Sequence, residues 1–223
     1  MKKITILTLF PEVFVPFKNF SIIKKAINNK HLKINVINFR QYANNKHMKV
    51  DDYPTGGGAG MIISLPSIVM AIRKCQTKNS HVILLSPQGK IFNQNKANKL
   101  ARNKNDLIII CGHYEGFDAR IINYVDEVIS IGDYILTGGE TAAMVLIDAI
   151  SRLVKNVISK ESLETETLTN NLLDYDNYTK PKNFEGHLIP DILFSGNHKK
   201  IAKFRKNNRV LKTKKYRPDL LSK

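Results

Sequence analysis

Five short runs of β-branched, leucine-rich sequence, each followed by a stretch of helical periodicity, constrain this chain more than anything else in it. KITILTL (3–9), LKINVINF (32–39), HVILLS (81–86), DLIIIC (106–111) and DEVISI (126–131) are almost continuously apolar, as strands are when both faces of their sheet are covered. Between them, FSIIKKAINN, PSIVMAIRKCQ, NQNKANKLAR and FDARIINYV carry helical spacing, and GGETAAMVLIDAISRLV (138–154) is the longest and most apolar such stretch. Strand and helix in alternation predict an α/β domain with a largely parallel sheet. No apolar run approaches the roughly 18 residues that a membrane span needs. The opening MKKITILTLFPEVF is cut short by Pro11 and Glu12 and lacks a small-residue cleavage pattern, so it reads as a first buried strand rather than a signal peptide.

From Asn156 the pattern changes. The stretch NVISKESLETETLTNNLLDYDNYTKPKNFEG is polar and without sustained periodicity. It predicts a first domain over 1–156, a linker over 157–169 and a small second domain over 170–223, with a helix opening near Asn197 and Ile201 and Phe204 on one of its faces. That second domain is also where the charge gathers. The chain has 35 basic and 19 acidic residues, a net charge of +16, and HKKIAKFRKNNRVLKTKKYR (198–217) contains no acid at all. A lysine-rich composition can reflect an AT-rich genome, but an acid-free segment points to a polyanionic partner, because each neutralised phosphate releases counterions. Nucleic acid is the expected partner. Two cysteines, Cys75 and Cys111, are too few for a disulfide framework or a thiolate zinc site, and reduced thiols are expected.

The chemistry is sought beyond the strand ends, where open α/β sheets bind their ligands. Three glycine-bearing turns lie there: SPQGK (86–90), CGHYEGFD (111–118) and GDYILTGGE (132–140). Neither G-x-G-x-x-G nor the phosphate loop G-x-x-x-x-G-K-[ST] occurs, and the glycine-rich PTGGGAGM (54–61) has no phosphate lysine. A small ligand held by backbone groups fits such turns, but spacing alone does not name it.

These same segments carry a resemblance. LTLFPEVF (7–14), VDDYPTGGGAGM (50–61), LLSPQGK, CGHYEGFDAR, SIGDYILTGGE, DAISRLV, LLDYDNYTKP and LFSGNH (193–198) closely resemble, in order and over almost the whole chain, the bacterial tRNA (guanine-N1)-methyltransferases, the TrmD family of the SPOUT class. The resemblance implies an α/β fold with a SPOUT-type parallel sheet, a deep trefoil knot over 81–140 and a small, mainly helical C-terminal domain. It implies S-adenosyl-L-methionine as cofactor, clasped by Ser86, Pro87, Gly112, Glu115, the backbone of Ile131, Gly132, Asp133, Tyr134, Ile135 and Leu136, and Gly138 and Gly139. A sulfonium needs no phosphate lysine, and a cation beside it would oppose it.

The reaction implied is methylation of N1 of guanosine 37 in tRNA, next to the anticodon. Guanine N1 carries a proton at neutral pH, so a base must remove it, and general-base help is typically worth about 10² to 10⁴-fold. The family's base is a linker aspartate. Its place here holds Glu166, with Glu164 as the alternative if the register slips, and the linker is one residue shorter. Arg152 matches the family arginine that would neutralise charge developing on guanine O6; the alternative, a basic residue placed by the dipole at a helix C-terminus, is the lesser one. Two other departures are His113, where arginine is common, and Ala59, where proline is common. Asp118 reads as a helix cap. On the second domain, Ser195, Asn197, Lys199, Lys200, Lys203, Arg205 and Arg209 are the expected RNA contacts along the anticodon stem-loop. A magnesium ion accompanies the family's reaction, although no carboxylate cluster here marks a metal site. A cytoplasmic homodimer is implied, in which one subunit's cofactor pocket receives the linker and C-terminal domain of the other. The altered linker raises one alternative: a tRNA-binding protein that keeps the fold with weak or lost catalysis. A related knotted ribose 2′-oxygen methyltransferase is disfavoured, since the match includes the C-terminal domain.

Overall fold

The computed structural model describes residues 1–159, 162–163, 167–168 and 171–221. They divide into two compact units, Met1–Ile158 and Ser159–Lys223.

In the first unit the chain runs β1 (Lys2–Thr8), α1 (Phe14–Lys18), α2 (Ser21–Asn28), β2 (Leu32–Asn38), a two-residue ladder of β3 (Asp51–Asp52) and β4 (Ile62–Ile63), α3 (Leu65–Cys75), β5 (Ser80–Ile91), α4 (Gln94–Arg102), β6 (Asp106–Ile110), β7 (Glu127–Ser130) and α5 (Gly139–Ser151). The five long strands form one sheet of order β2-β1-β6-β5-β7, and every pair in it is parallel. Alternate residues of each strand feed opposite cores. Ile4, Ile6, Ile83 and Ile109 face α1, α2, α4 and α5, packing with Phe14, Ile23, Leu100, Leu146 and Ile150. Leu7, Val82, Leu84, Ile108 and Ile110 face the other way, against Phe39, Val50, Ile68, Ile72 and Ile121. Two covered faces explain why the strands read as unbroken apolar runs.

The expected helix over 117–125 is instead a 3₁₀ turn, Ala119–Tyr124. Asp118 accepts a hydrogen bond from the Arg120 N–H (2.9 Å) and two more from the Arg120 guanidinium (2.9 and 2.6 Å). That pairing two residues away tightens the first turn beyond α-helical winding. The strand expected at 81–86 also runs longer, to Ile91, with a break in its pairing with β7. Ile129 is the partner of both Leu85 and Lys90, so Ser86–Gly89 bow out of the ladder between them. Gly89 then lies flat on β7, where a Cβ would fall 2.5 Å from the Ile129 backbone. Only glycine permits that approach.

In the second unit, Leu173–Asp176 lie along α6 (His198–Tyr216), which is preceded by a small hairpin of β8 (Asn183–Phe184) and β9 (His187–Leu188) and a 3₁₀ turn, Asp191–Phe194. Asn197 caps α6 by accepting from the Lys200 N–H at 3.1 Å. The buried Thr213 accepts from the Leu173 N–H (2.9 Å), and Asp176 holds Asn208 (2.9 Å) and Lys212 (2.7 Å). Polar clamps fasten the segment because α6 has few apolar residues with which to hold it. Among the described residues, no helix is long and apolar enough to cross a membrane.

Candidate functional site

The carboxyl ends of β5, β6 and β7 and the start of α5 are drawn together by backbone contacts. The Phe92 N–H donates to the Ser130 carbonyl at 2.7 Å, bringing the bowed segment of β5 to the end of β7. The Gly139 N–H donates to the Gly112 carbonyl at 2.8 Å, bringing the start of α5 onto the turn after β6. A Cβ on Gly139 would fall 2.8 Å from both Cys111 Cα and Gly112 N, so glycine at 139 is demanded by close packing of two backbones. The turn between, Asp133–Thr137, is exposed; Ile135 is 82% accessible. Within it the Ser130 hydroxyl donates to the Gly132 carbonyl (3.1 Å) and the Tyr134 hydroxyl to the Ile131 carbonyl (3.4 Å).

A polar network underlies the glycine pair. Glu140, buried in the first turn of α5, accepts from the Thr8 hydroxyl at 2.5 Å, and His113 Nε2 lies 2.6 Å from its other oxygen. The Phe10 N–H donates in turn to Thr8 Oγ1 at 2.9 Å. Thr8 and Glu140 are polar residues in otherwise apolar runs, which was the only trace of this network in the sequence. Beside it, burial first and the Glu140 carboxylate second push the Cys111 thiol well above its usual range, so Cys111 stays a protonated, inert thiol. On the far side, Glu115 donates its N–H to the Met61 carbonyl (3.0 Å) and Ile63 donates to the Gly116 carbonyl (2.8 Å). The glycine-rich loop at 54–61 is thereby stitched to the turn after β6, a link that sequence spacing gave no sign of.

The expected site residues fall as follows. Ser86 and Pro87 lie in the bowed segment of β5, Gly112 and Glu115 in the turn after β6, and Ile131–Leu136, Gly138 and Gly139 in the turn before α5. These come together. Arg152 is the residue that ends α5. Glu166 and Glu164 lie outside the described residues. In the second unit, Ser195 caps the 3₁₀ turn and donates to the Ile192 carbonyl (2.8 Å), and Asn197 caps α6. Lys199, Lys200 and Lys203 are exposed. The Arg205 guanidinium stacks 4.6 Å from the Tyr175 ring centre, and Arg209 donates to the Leu173 carbonyl at 3.0 Å, so both arginines also brace the unit. Among the described residues, no cluster of three His, Cys, Asp or Glu side chains is placed to hold a metal ion.

The protein is thus of a definite class: a parallel α/β sheet with a backbone-lined site at its strand ends, joined to a unit built on a strongly basic helix. The family described as tRNA (Guanine-1)-methyltransferase TrmD matches residues 1–223. The chain is 58% identical over 221 residues to the tRNA (guanine-N(1)-)-methyltransferase of Malacoplasma penetrans, covering 99% of this chain and 97% of that protein. It is 55% identical over 221 residues to the protein of the same name from Ureaplasma urealyticum serovar 10, with the same coverage of 99% and 97%. It is 52% identical over 223 residues to that of Spiroplasma kunkelii, covering 100% of this chain and 84% of that protein. The chain belongs to the tRNA (guanine-1)-methyltransferase TrmD family. Nothing in these relatives supports the alternative of a tRNA-binding protein that has lost catalysis.

Proposed function

We propose that this enzyme methylates N1 of guanosine 37 in tRNA with S-adenosylmethionine as donor, acting in the cytoplasm as a homodimer. The observation that carries the reading is the docking of Gly139 on Cys111 and Gly112, with Gly138 against His113, which leaves the exposed Asp133–Thr137 turn between two strand ends. The residues present suit the donor. Exposed Tyr134, Ile135 and Leu136 offer apolar surface beside free backbone groups, and neither 111–118 nor 130–140 contains a lysine or arginine to oppose a sulfonium. Ser86, Pro87, Gly112, Glu115, the 131–136 backbone, Gly138 and Gly139 would hold it. When bound, the donor supplies a methyl group activated by the positive sulfur.

The chain's own work is to bind and orient the base, and to manage one proton. Glu166 takes the proton from guanine N1, and Arg152 stabilises the negative charge that gathers on O6 as it leaves. Lys199, Lys200 and Lys203 hold the anticodon stem through its phosphates, and the loop bases are read singly where they are unstacked. The 81–140 segment carries the trefoil thread, consistent with β7 gripping β5 on both sides of the Ser86–Gly89 bow. The linker of one subunit completes the pocket of the other, and a magnesium ion assists turnover.

The test is transfer of labelled methyl from S-adenosylmethionine to a tRNA transcript with guanosine at position 37, beside a transcript carrying adenosine there. Glu166→Gln should slow the reaction by about 10² to 10⁴-fold while tRNA binding persists. Equal labelling of the two transcripts would refute the position, and an unslowed Glu166→Gln would move the base elsewhere.

A further inference from the structure

We propose that His113 is the positioning residue of the donor pocket: through Glu140 it sets how tightly the glycine pair 138–139 sits on the turn after β6. This rests on the reading of the 111–116 and 130–139 turns as that pocket.

The geometry is specific. Three separate chain segments meet at one buried carboxylate: the end of β1 through Thr8, the turn after β6 through His113, and the first turn of α5 through Glu140 itself. Glu140 is 8% exposed, and among the described residues Thr8 and His113 are the side chains that replace water at its oxygens. A buried carboxylate left short of one donor is costly, whereas near a helix N-terminus and fully paired it is well placed. The imidazole is itself held, its ring 4.6 Å from that of Phe10 and 6.4 Å from that of Tyr114, centre to centre. It lies directly against Gly138: a Cβ on that residue would collide with His113 Nε2 and fall 2.6 Å from Glu140 Oε2. The hydrogen bond between the two side chains therefore runs across the Gly138 backbone. Its neighbour Gly139 is already at the packing limit on Cys111 and Gly112.

From this follows a division of labour. His113 touches neither the methyl group nor the guanine. It fixes the separation of two backbone segments that hold the donor, so its loss should weaken donor affinity and leave the chemical step largely intact. A group that served stability alone would lower the melting temperature without that split. A group taking part in proton removal would lower kcat.

The test measures binding of S-adenosylhomocysteine by calorimetry, with steady-state kinetics, on the full chain. His113→Ala should weaken S-adenosylhomocysteine and raise KM for the donor by about ten- to a hundredfold, the loss expected when a buried acceptor is left unpaired. Its kcat should hold within about threefold, since uniform binding is what has been removed. His113→Arg, whose guanidinium also presents donors to a carboxylate, should recover most of the affinity. His113→Ala combined with Glu140→Ala should be little worse than Glu140→Ala alone, because contacting residues are not additive. Thermal melts identify any variant that fails to fold, and Thr8→Val, which strips a different donor from Glu140, then supplies the same comparison. If His113→Ala binds as the wild type does, or His113→Arg stays as weak as the alanine variant, His113 has no such role. If the wild type itself binds no S-adenosylhomocysteine, the donor-pocket reading fails, and this inference with it.

Discussion

Lys2 is an unusual ammonium. Only 7% exposed, it donates to the carbonyls of Leu100, Asn103 and Asn105 at 2.7, 2.8 and 2.8 Å, gathering the orphan carbonyls at the end of α4. Burial, partly opposed by the Asp106 carboxylate, lowers its pKa to about 8. Between that value and the unfolded value of 10.5 the unfolded chain keeps a proton that the folded chain has shed. The group's contribution to stability therefore rises with pH across that window and is flat below it. Lys2→Met should lose that slope in urea melts run from pH 7 to 10.5, and cost about 1–3 kcal/mol at neutral pH by stripping the carbonyls of their donor. Glu127 gives a slope of the same sign at the acid end. Burial raises its carboxyl, but hydrogen bonds from Lys96 and His81 outweigh this and hold it below its ordinary value of 4.5. Its stabilisation is full above that value and fades as pH falls through the lower folded value. Glu127→Gln should flatten the acid limb of stability below about pH 4.5. Neither burial was legible in the sequence. Lys2 and Leu100 are 98 positions apart and Thr8 and Glu140 are 132 apart, and no local pattern reports contacts of that reach.

At the level of elements, the five strands of the parallel sheet and the four longer helices of the first unit were plain in the sequence because burial on both sheet faces writes itself as apolar runs and helical stripes. The exceptions have local causes. Asp118 and Arg120 wind 119–124 too tightly for an α-helix, and the β8–β9 hairpin has strands of two residues each, with no alternation to read. The glycines were visible, but not what each one touches. Gly89→Ala puts a methyl group 2.5 Å from the Ile129 backbone and should cost about 1–3 kcal/mol by overpacking; a denaturant midpoint measures it. In the second unit, Thr213→Val takes the acceptor from the half-buried Leu173 N–H. It should destabilise that unit by about 1–3 kcal/mol, seen as early loss of amide protection along α6 with the sheet unaffected.

For the whole molecule, the net charge of +16 makes tRNA affinity a function of salt. Replacing Lys199, Lys200 and Lys203 together by alanine should weaken binding for all tRNAs alike and reduce the slope of log affinity against log salt by about two to three. Charge was readable from the sequence, since an acid-free run needs no structure to be seen. The proposed sharing of a site between two subunits is not readable from composition or spacing, and it has its own test. Mixing Gly139→Val chains, whose pocket is blocked, with Glu166→Gln chains should restore roughly a quarter of wild-type activity if pocket and base come from different subunits of a symmetric dimer. Sites confined to one chain would recover nothing. The order β2-β1-β6-β5-β7 also bears on how such a chain is born. β1 and β5 are both finished before β6, yet each needs β6 as its neighbour. At synthesis rates of about 5–20 residues per second, the inner edge of β1 waits roughly five to twenty seconds for that partner to leave the ribosome. The middle of the sheet closes only when β6 arrives, with β7 alone still to add at the edge, and the nascent enzyme spends that interval with an apolar strand edge open to any other chain nearby.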